Sequence, residues 1–194
     1  FVKFFGNNLF LIRLFQTLFE SLAVAIVFLI CNKVFSRYIA VITGLILSFY
    51  SAMIFFTGLI IQTTMVIFLL SLSIYFFIIF PYRNKSSLWL LVLSSLFLGV
   101  ATLGRPNLIV LTIIFILFIV FYGSRKIKKT IFYSGIFVII YLLVLFPFTL
   151  RNILVEDDFI LLTSHGGINF CTGRTVKAWG ACRLPLTCKG QNLE

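Results

Sequence analysis

The sequence predicts an all-α fold: a polytopic transmembrane bundle of about six spans, followed by a short extracytoplasmic C-terminal segment. Of 194 residues, 61% are hydrophobic and 11% are charged, and a water-soluble domain needs more charge to hydrate its surface. Apolar runs recur at roughly the 20 residues that cross the hydrocarbon core. We predict a transmembrane helical region at 1–150 and an extracytoplasmic tail, or the start of an outer domain, at 151–194.

Apolar runs and the residues that interrupt them place the spans in order. The spans are about Leu14–Cys31, Tyr38–Thr57, Gly58–Phe80, Ser87–Leu103, Leu108–Tyr122 and Thr130–Leu150. Only a weak break around Phe56-Thr57-Gly58 separates the second from the third. Pro106 disfavours helix at the residue before it, so the chain turns between the fourth and fifth. The fifth run is short, which leaves a re-entrant segment or an extension through Gly123 open.

Lysine and arginine are distributed unequally between the loops. Every second loop is basic, and the alternate loops carry only Arg105. The eight basic residues of those loops are Lys33, Arg37, Arg83, Lys85, Arg125, Lys126, Lys128 and Lys129. Because basic loops stay in the cytoplasm, this bias orients the chain. These clusters hold half of the 16 basic residues behind the net charge of +11. Short basic clusters between apolar spans are typical of membrane proteins, so the predicted partner is the lipid bilayer and not a nucleic acid.

This orientation gathers the polar residues on the outer face. They are the N-terminal segment Phe1–Arg13, Gln62-Thr63-Thr64, Arg105, Arg151-Asn152, Glu156-Asp157-Asp158 and His165. Nearly every residue able to do chemistry therefore lies on one side of the membrane.

Arg105 is the main candidate among them. It either snorkels to lipid headgroups and caps a helix end, or it binds an anionic group such as a phosphate through its planar fork of donors. The Gly104-Arg105-Pro106-Asn107 frame favours binding, with Asn107 beside it. Arg151 and Asn152 are either a second phosphate site or a favourable basic end of the sixth helix.

Glu20 lies one or two turns inside the first span, on the same helical face as Gln16. An ionisable group at that depth faces the protein interior or a wet cavity. It is either a catalytic acid or the ion-pair partner of Arg13, and pairing is the commoner arrangement.

The loop Thr163–Asn169 contains His165, Gly166, Gly167 and Asn169, and its two adjacent glycines permit close backbone approach to a ligand. We predict a substrate-contacting loop there. His165 is the single histidine of the chain, so we reject a Ser-His-Asp device.

Five segments, in this order, resemble the GT-C membrane glycosyltransferases, which include the dolichyl-phosphate-mannose protein mannosyltransferases and the lipid A aminoarabinose transferase. Phe5–Gln16 is similar to the family's Phe-Gly-x-Asn/Ser-x-Leu-x-x-Arg-Leu-x-Gln, and Gly99–Asn107 to its Gly-x-x-x-Leu-x-Arg-Pro-Asn. The others are Lys33–Arg37, Pro147–Asn152, which resembles Pro-Trp-Thr-x-Arg-Asn, and Thr163–Asn169, which resembles Thr-Ser-x-Gly-Gly-x-Asn.

The resemblance implies transfer of a sugar from a polyprenyl-phosphate carrier to an acceptor on the outer face of a plasma membrane, bacterial or archaeal. Arg105 and Arg151 would stabilise the phosphate leaving group, and a carboxylate would act as general base. The resemblance expects no certain cofactor and leaves a divalent metal open.

The chain also departs from the family pattern. The family's catalytic acid is expected upstream of Phe1, and Thr63 stands where a second acid is usual. We therefore expect an internal fragment that is inactive alone, with Glu20 as a weak substitute. After Gly173 the composition shifts, which fits either a frame change or a genuine outer domain.

Two other functions are weighed against the glycosyltransferase. A transporter or flippase-like protein predicts internal repeats and helices interrupted at mid-membrane, and the sequence shows no repeat and places its breaks at span ends. A non-catalytic structural subunit explains the fold but not the polar residues on one face.

Overall fold

The computed structural model describes residues 9–59, 62–80, 88–122 and 127–156, and every regular element within these ranges is helical. The elements are α1 Leu9–Val34, α2 Arg37–Ser48, α3 Ser51–Gly58, α4 Thr63–Ile79, α5 Leu88–Gly104, a 3-10 turn Pro106–Leu108, α6 Ile109–Tyr122 and α7 Ile127–Glu156. The predicted all-α class is confirmed. Two of these helices, α1 and α7, are long and apolar enough to cross a membrane, and α2, α4, α5 and α6 are shorter apolar helices.

The second predicted span is two helices instead of one. Ser36 caps the start of α2 by accepting a hydrogen bond from the backbone N–H of Ile39. The helix then ends at Ser48, where the N–H groups of Phe49 and Tyr50 turn back to the carbonyls of Leu45 and Leu47 at 3.2 Å each. The expectation that breaks lie only at span ends is therefore wrong for this span.

The chain divides into two compact units, Phe1–Phe146 and Pro147–Glu194. In the first unit α4 packs against both α1 and α5, and α2 packs against α1. The ring of Phe77 on α4 stacks on that of Phe115 on α6, with centroids 4.2 Å apart, and meets the edge of Phe137 on α7. These aromatic contacts join α4, α6 and α7 through buried rings.

Small hydroxyl residues let the helices of this unit approach closely. Ser73 on α4 donates a hydrogen bond to the carbonyl of Ser94 on α5 at 2.8 Å, and Ser94 returns one to the carbonyl of Ser73 at 2.9 Å. Ser95 donates to the carbonyl of Phe137 on α7 at 2.6 Å. Small polar residues are typical of helix interfaces in membranes, where apolar packing alone does not distinguish protein from lipid.

Many outward side chains of the first unit are large and apolar. Phe10, Ile113, Phe121, Ile139 and Leu143 are all more than half exposed. Such a surface is unfavourable in water and suits lipid as the surrounding solvent.

In the second unit, α7 continues through Pro147 to Glu156. Arg151 and Asn152 therefore lie inside this helix, and its last turn contains no basic residue. The interpretation of Arg151 as a favourable charge at the helix end is wrong, because the helix extends beyond it.

Candidate functional site

The first turn of α4 meets the last turn of α5. Gln62, just before α4, donates through its side-chain nitrogen to the carbonyl of Gly104 at 2.9 Å. Arg105 donates through a terminal guanidinium nitrogen to the hydroxyl of Thr63 at 2.9 Å. Two hydrogen bonds, one donated from each side, thus join Gln62-Thr63 to Gly104-Arg105 and hold the end of α5 on the start of α4.

Pro106 shapes the chain around Arg105. The residue has an extended backbone, with φ −141° and ψ 95°, and its side chain is exposed. Its N–H still donates to the carbonyl of Ala101 at 3.0 Å, and its carbonyl accepts from Leu108 at 3.0 Å. Because Pro106 begins a 3-10 turn, α5 stops here and Arg105 lies at its end, with Asn107 exposed in the turn.

Gly104 allows the two helices to approach at this point. A Cβ atom on Gly104 would lie 2.5 Å from a γ-methyl of Val66 on α4. Val66 is buried, and a β-branched side chain in a helix has one strongly preferred rotamer. Glycine at position 104 therefore sets the distance between the helix ends that carry Thr63 and Arg105.

Two cavities flank α3, and Glu20 lines both. One, of about 280 Å³, is also lined by Tyr50, Met53 and Thr63. The other, of about 510 Å³, extends along α1 past Arg13. Thr63 thus accepts a hydrogen bond from Arg105 and also lines a cavity together with Glu20.

Glu20 and Arg13 both lie in the described residues and both line the larger cavity. They do not form an ion pair with each other. Of the two roles left open for Glu20, the ion pair with Arg13 is therefore not formed. The hydroxyl of Thr17, which lies between them, bonds to backbone carbonyls of its own helix, at 2.8 and 2.9 Å. Glu20 is accordingly a carboxylate that faces open space inside the helical region.

The remaining predicted site residues are placed as follows. Arg151 is exposed and Asn152 is half-buried on α7, in the second unit. His165, Gly166, Gly167 and Asn169 lie outside the described residues. Over the four described ranges, no three His, Cys, Asp or Glu side chains are grouped as metal ligands.

The contact between Gln62 and Gly104 was not predicted from the sequence. The orientation of the loops placed both on the outer face, and that shared side was the available signal. Their pairing depends on which helices are neighbours, which loop charges do not encode.

The comparisons with known proteins bear on residues 1–149. The family model described as dolichyl-phosphate-mannose-protein mannosyltransferase matches this range. The chain belongs to this family. It is a membrane-integral glycosyltransferase chain of the GT-C type, as the resemblance implied, and Thr63, Gly104 and Arg105 lie inside the matched range. No curated protein and no solved structure matches the sequence.

Proposed function

We propose that this mannosyltransferase-family chain binds a sugar linked to a polyprenyl phosphate and takes part in transferring the sugar to an acceptor on the outer face of a bacterial or archaeal plasma membrane. The observation that carries the proposal is Arg105, an exposed residue at the end of α5 whose guanidinium is hydrogen-bonded to Thr63 at the start of α4. The donor lipid partitions into the bilayer, and its phosphate lies at the membrane interface.

The chemistry of a guanidinium suits this phosphate. Arginine offers five N–H donors in a rigid fork, and the bond to Thr63 engages one of them. The remaining donors can bind phosphate oxygens as charge-assisted hydrogen bonds. When the glycosidic bond breaks, negative charge develops on the lipid phosphate, and donors already in position stabilise it. Asn107, exposed in the turn after Arg105, is proposed as an additional ligand on the donor side. Arg151 and Asn152 stay predictions that the family resemblance implies.

Within the described part of the first unit, Glu20 is the carboxylate that we propose as the general base for the acceptor hydroxyl. It lines the 280 Å³ cavity together with Thr63, so this cavity reaches the residue that holds Arg105. A carboxylate near the reacting sugar can accept the proton of the acceptor hydroxyl. The glycine loop that includes His165 and Asn169 is proposed to contact the substrate.

The proposal is tested by measuring binding of an undecaprenyl-phosphate sugar to the purified chain in lipid nanodiscs. Removing a hydrogen bond to a charged group costs about 1.5–3 kcal/mol, so Arg105→Ala is expected to weaken binding roughly 10- to 100-fold. Arg37→Ala is the matched control, because Arg37 is an exposed arginine that begins α2 and lies at the predicted cytoplasmic side. Equal affinity of wild type and Arg105→Ala would refute the proposed phosphate site.

One observation favours the transporter as a second candidate. The break at Phe49-Tyr50 interrupts the second predicted span and lies beside the two cavities, and interrupted helices are common at transporter binding sites. Uptake of a polyprenyl-phosphate sugar into proteoliposomes, without its consumption, would favour the transporter. The family match favours the glycosyltransferase.

A further inference from the structure

We propose that the 510 Å³ cavity along α1 binds the acceptor, and that the acceptor is a hydroxylated compound with an acidic group, such as a phosphorylated polyol. This inference rests on the proposed function, because it names the class of substrate that meets Glu20. Three features of the cavity carry it: a polar stripe on α1, the arrangement of the hydroxyl groups, and the two charges.

The wall that α1 contributes to this cavity is a polar stripe on a mostly apolar helix. Arg13, Thr17, Glu20 and Ser21 all line the cavity, and their spacing of four, seven and eight residues places them on one face of the helix. Leu18, outside this stripe, is nearly half exposed. Polar side chains on a membrane helix face protein or a water-filled cavity and not lipid, so we expect the stripe to face a hydrated binding site.

The hydroxyl groups around the cavity are arranged as hydrogen-bond acceptors. Thr17 and Ser21 on α1, Ser48 at the end of α2 and Thr57 on α3 line it together. Each of these hydroxyls donates to a backbone carbonyl of its own helix at 2.8 Å, and its lone pairs remain able to accept. With the carboxylate of Glu20 the cavity therefore offers a set of acceptors. A ligand that complements them carries several O–H donors, as a polyol does.

The two charges of the cavity are complementary to such a ligand if it also has an acidic group. Among the described residues that line the cavity, Arg13 is the single cation and Glu20 the single anion. Neither side chain has a hydrogen-bond or ion-pair partner in the described part of the chain. Seven residues of α-helix span about 10 Å, so one small ligand can reach both. Its acidic group would bind the guanidinium fork of Arg13 while a hydroxyl reaches Glu20.

The size and position of the cavity agree with this assignment. Its volume lies within the range of about 300–1,000 Å³ that is typical of small-molecule sites. Glu20 also lines the smaller cavity with Thr63, which accepts the hydrogen bond from Arg105. In the transfer, Glu20 takes the proton of the acceptor hydroxyl, and the hydroxyl oxygen bonds to the anomeric carbon of the sugar. The bond from that carbon to the phosphate oxygen breaks, and its electron pair leaves with the polyprenyl phosphate.

The two chemical requirements are tested with three lipids that have the same acyl chains. Phosphatidylglycerol has the acidic group and the hydroxyls, phosphatidylethanol has the acidic group alone, and a glucosyl diacylglycerol has hydroxyls alone. Their binding to the purified chain in detergent micelles is titrated by native mass spectrometry. We expect phosphatidylglycerol to bind at least about tenfold more tightly than either control, because each control lacks one set of hydrogen bonds. Equal affinity for phosphatidylglycerol and either control would overturn the proposal.

Variants test whether this preference comes from the cavity. Arg13 is exposed, and Arg13→Gln should lower the affinity for phosphatidylglycerol to that for the glucosyl lipid, whereas Arg37→Gln should leave it unchanged. Ser48→Ala should weaken phosphatidylglycerol binding roughly fivefold and phosphatidylethanol binding little. Ser71→Ala is its matched control, because the Ser71 hydroxyl also bonds within its own helix. An undiminished preference in Arg13→Gln would place the lipid elsewhere and overturn the proposal.

Two more measurements identify the source of the acceptor and separate this inference from the proposed function. Free glycerol 3-phosphate is titrated by calorimetry: Arg13-dependent binding would indicate a soluble acceptor, and binding of phosphatidylglycerol alone a lipid-borne one. Binding of neither would overturn the proposal. Arg105→Ala should weaken binding of an undecaprenyl-phosphate sugar and leave phosphatidylglycerol binding unchanged. If wild type binds no undecaprenyl-phosphate sugar but keeps the Arg13-dependent preference for phosphatidylglycerol, the proposed function fails and the polyol site stands.

Discussion

Replacing Gly104 by alanine is expected to destabilise the first unit and to weaken the candidate site together. The added Cβ atom would lie 2.5 Å from a γ-methyl of Val66. Carbon atoms in contact are normally separated by about 3.5–4.0 Å, so the end of α5 or the side chain of Val66 must move by roughly 1 Å. Val66 is 7% exposed and packs with Leu69 and Ala101, so it has little room to move.

The magnitude follows from the packing. Adding a methyl group to a well-packed core costs typically 1–3 kcal/mol, and the intrinsic helix preference of alanine over glycine returns at most about 1 kcal/mol. We therefore expect a net loss of roughly 1–2 kcal/mol in the free energy of unfolding. The same movement should displace Arg105 from Thr63, so binding of a polyprenyl phosphate should weaken as well.

The assay is reversible unfolding in bicelles, combined with the nanodisc binding measurement. Gly135→Ala is the matched control, because nothing lies within 4 Å of a Cβ atom on Gly135, which is also helical. Adding Val66→Ala to Gly104→Ala should restore part of the binding by removing the clashing methyl. Stability of Gly104→Ala equal to that of Gly135→Ala would refute the close-contact argument.

Three further outcomes are expected. Ser73→Ala should lower the unfolding free energy by about 0.6 kcal/mol and at most roughly 1.7 kcal/mol, the range measured for interhelical bonds in membranes. Ser71→Ala should change it little, since the Ser71 hydroxyl bonds within its own helix; equal losses would count against the serine pair. Gly99→Ala places a Cβ atom 2.9 Å from that of Val144 and should lower the unfolding free energy by roughly 1–3 kcal/mol. Val144→Ala should restore part of this loss, and an unchanged unfolding free energy in Gly99→Ala would contradict the α5–α7 contact. With the four native cysteines replaced, Asn107→Cys in intact cells should react with a membrane-impermeant maleimide, and labelling only after lysis would reverse the predicted orientation.

The fold class could be predicted because hydrophobic composition and run length are strong signals for membrane helices. The interruption of the second span could not. The chain contains neither glycine nor proline at Phe49-Tyr50, so no local residue marks the break. In the structure the residues around this break line the two cavities. The face of α4 that packs inward was equally hidden, because large apolar residues are spread around the whole helix and their periodicity does not indicate a direction.

The candidate site could be predicted in part. Pro106 and the loop charges indicated that Arg105 ends a helix on the outer face, and the structure describes that helix end. The role of Glu20 stayed open between a catalytic acid and an ion pair with Arg13. Spacing along one helix suggested the pair, and it could not show that both residues line a cavity. Thr63 was noticed only as the place of a missing acid. Its bond to Arg105 joins residues 42 positions apart, and only the packing of α4 on α5 brings them together.

The most direct test of the central claim is to map where a polyprenyl phosphate binds. A photoreactive undecaprenyl phosphate, with its reactive group beside the phosphate, is irradiated with the chain in nanodiscs, and the labelled peptides are identified by mass spectrometry. We expect labels at the start of α4 and the end of α5, around Thr63 and Arg105, and their loss in Arg105→Ala. Labels confined to the predicted cytoplasmic ends, or labels unchanged in Arg105→Ala, would contradict the account.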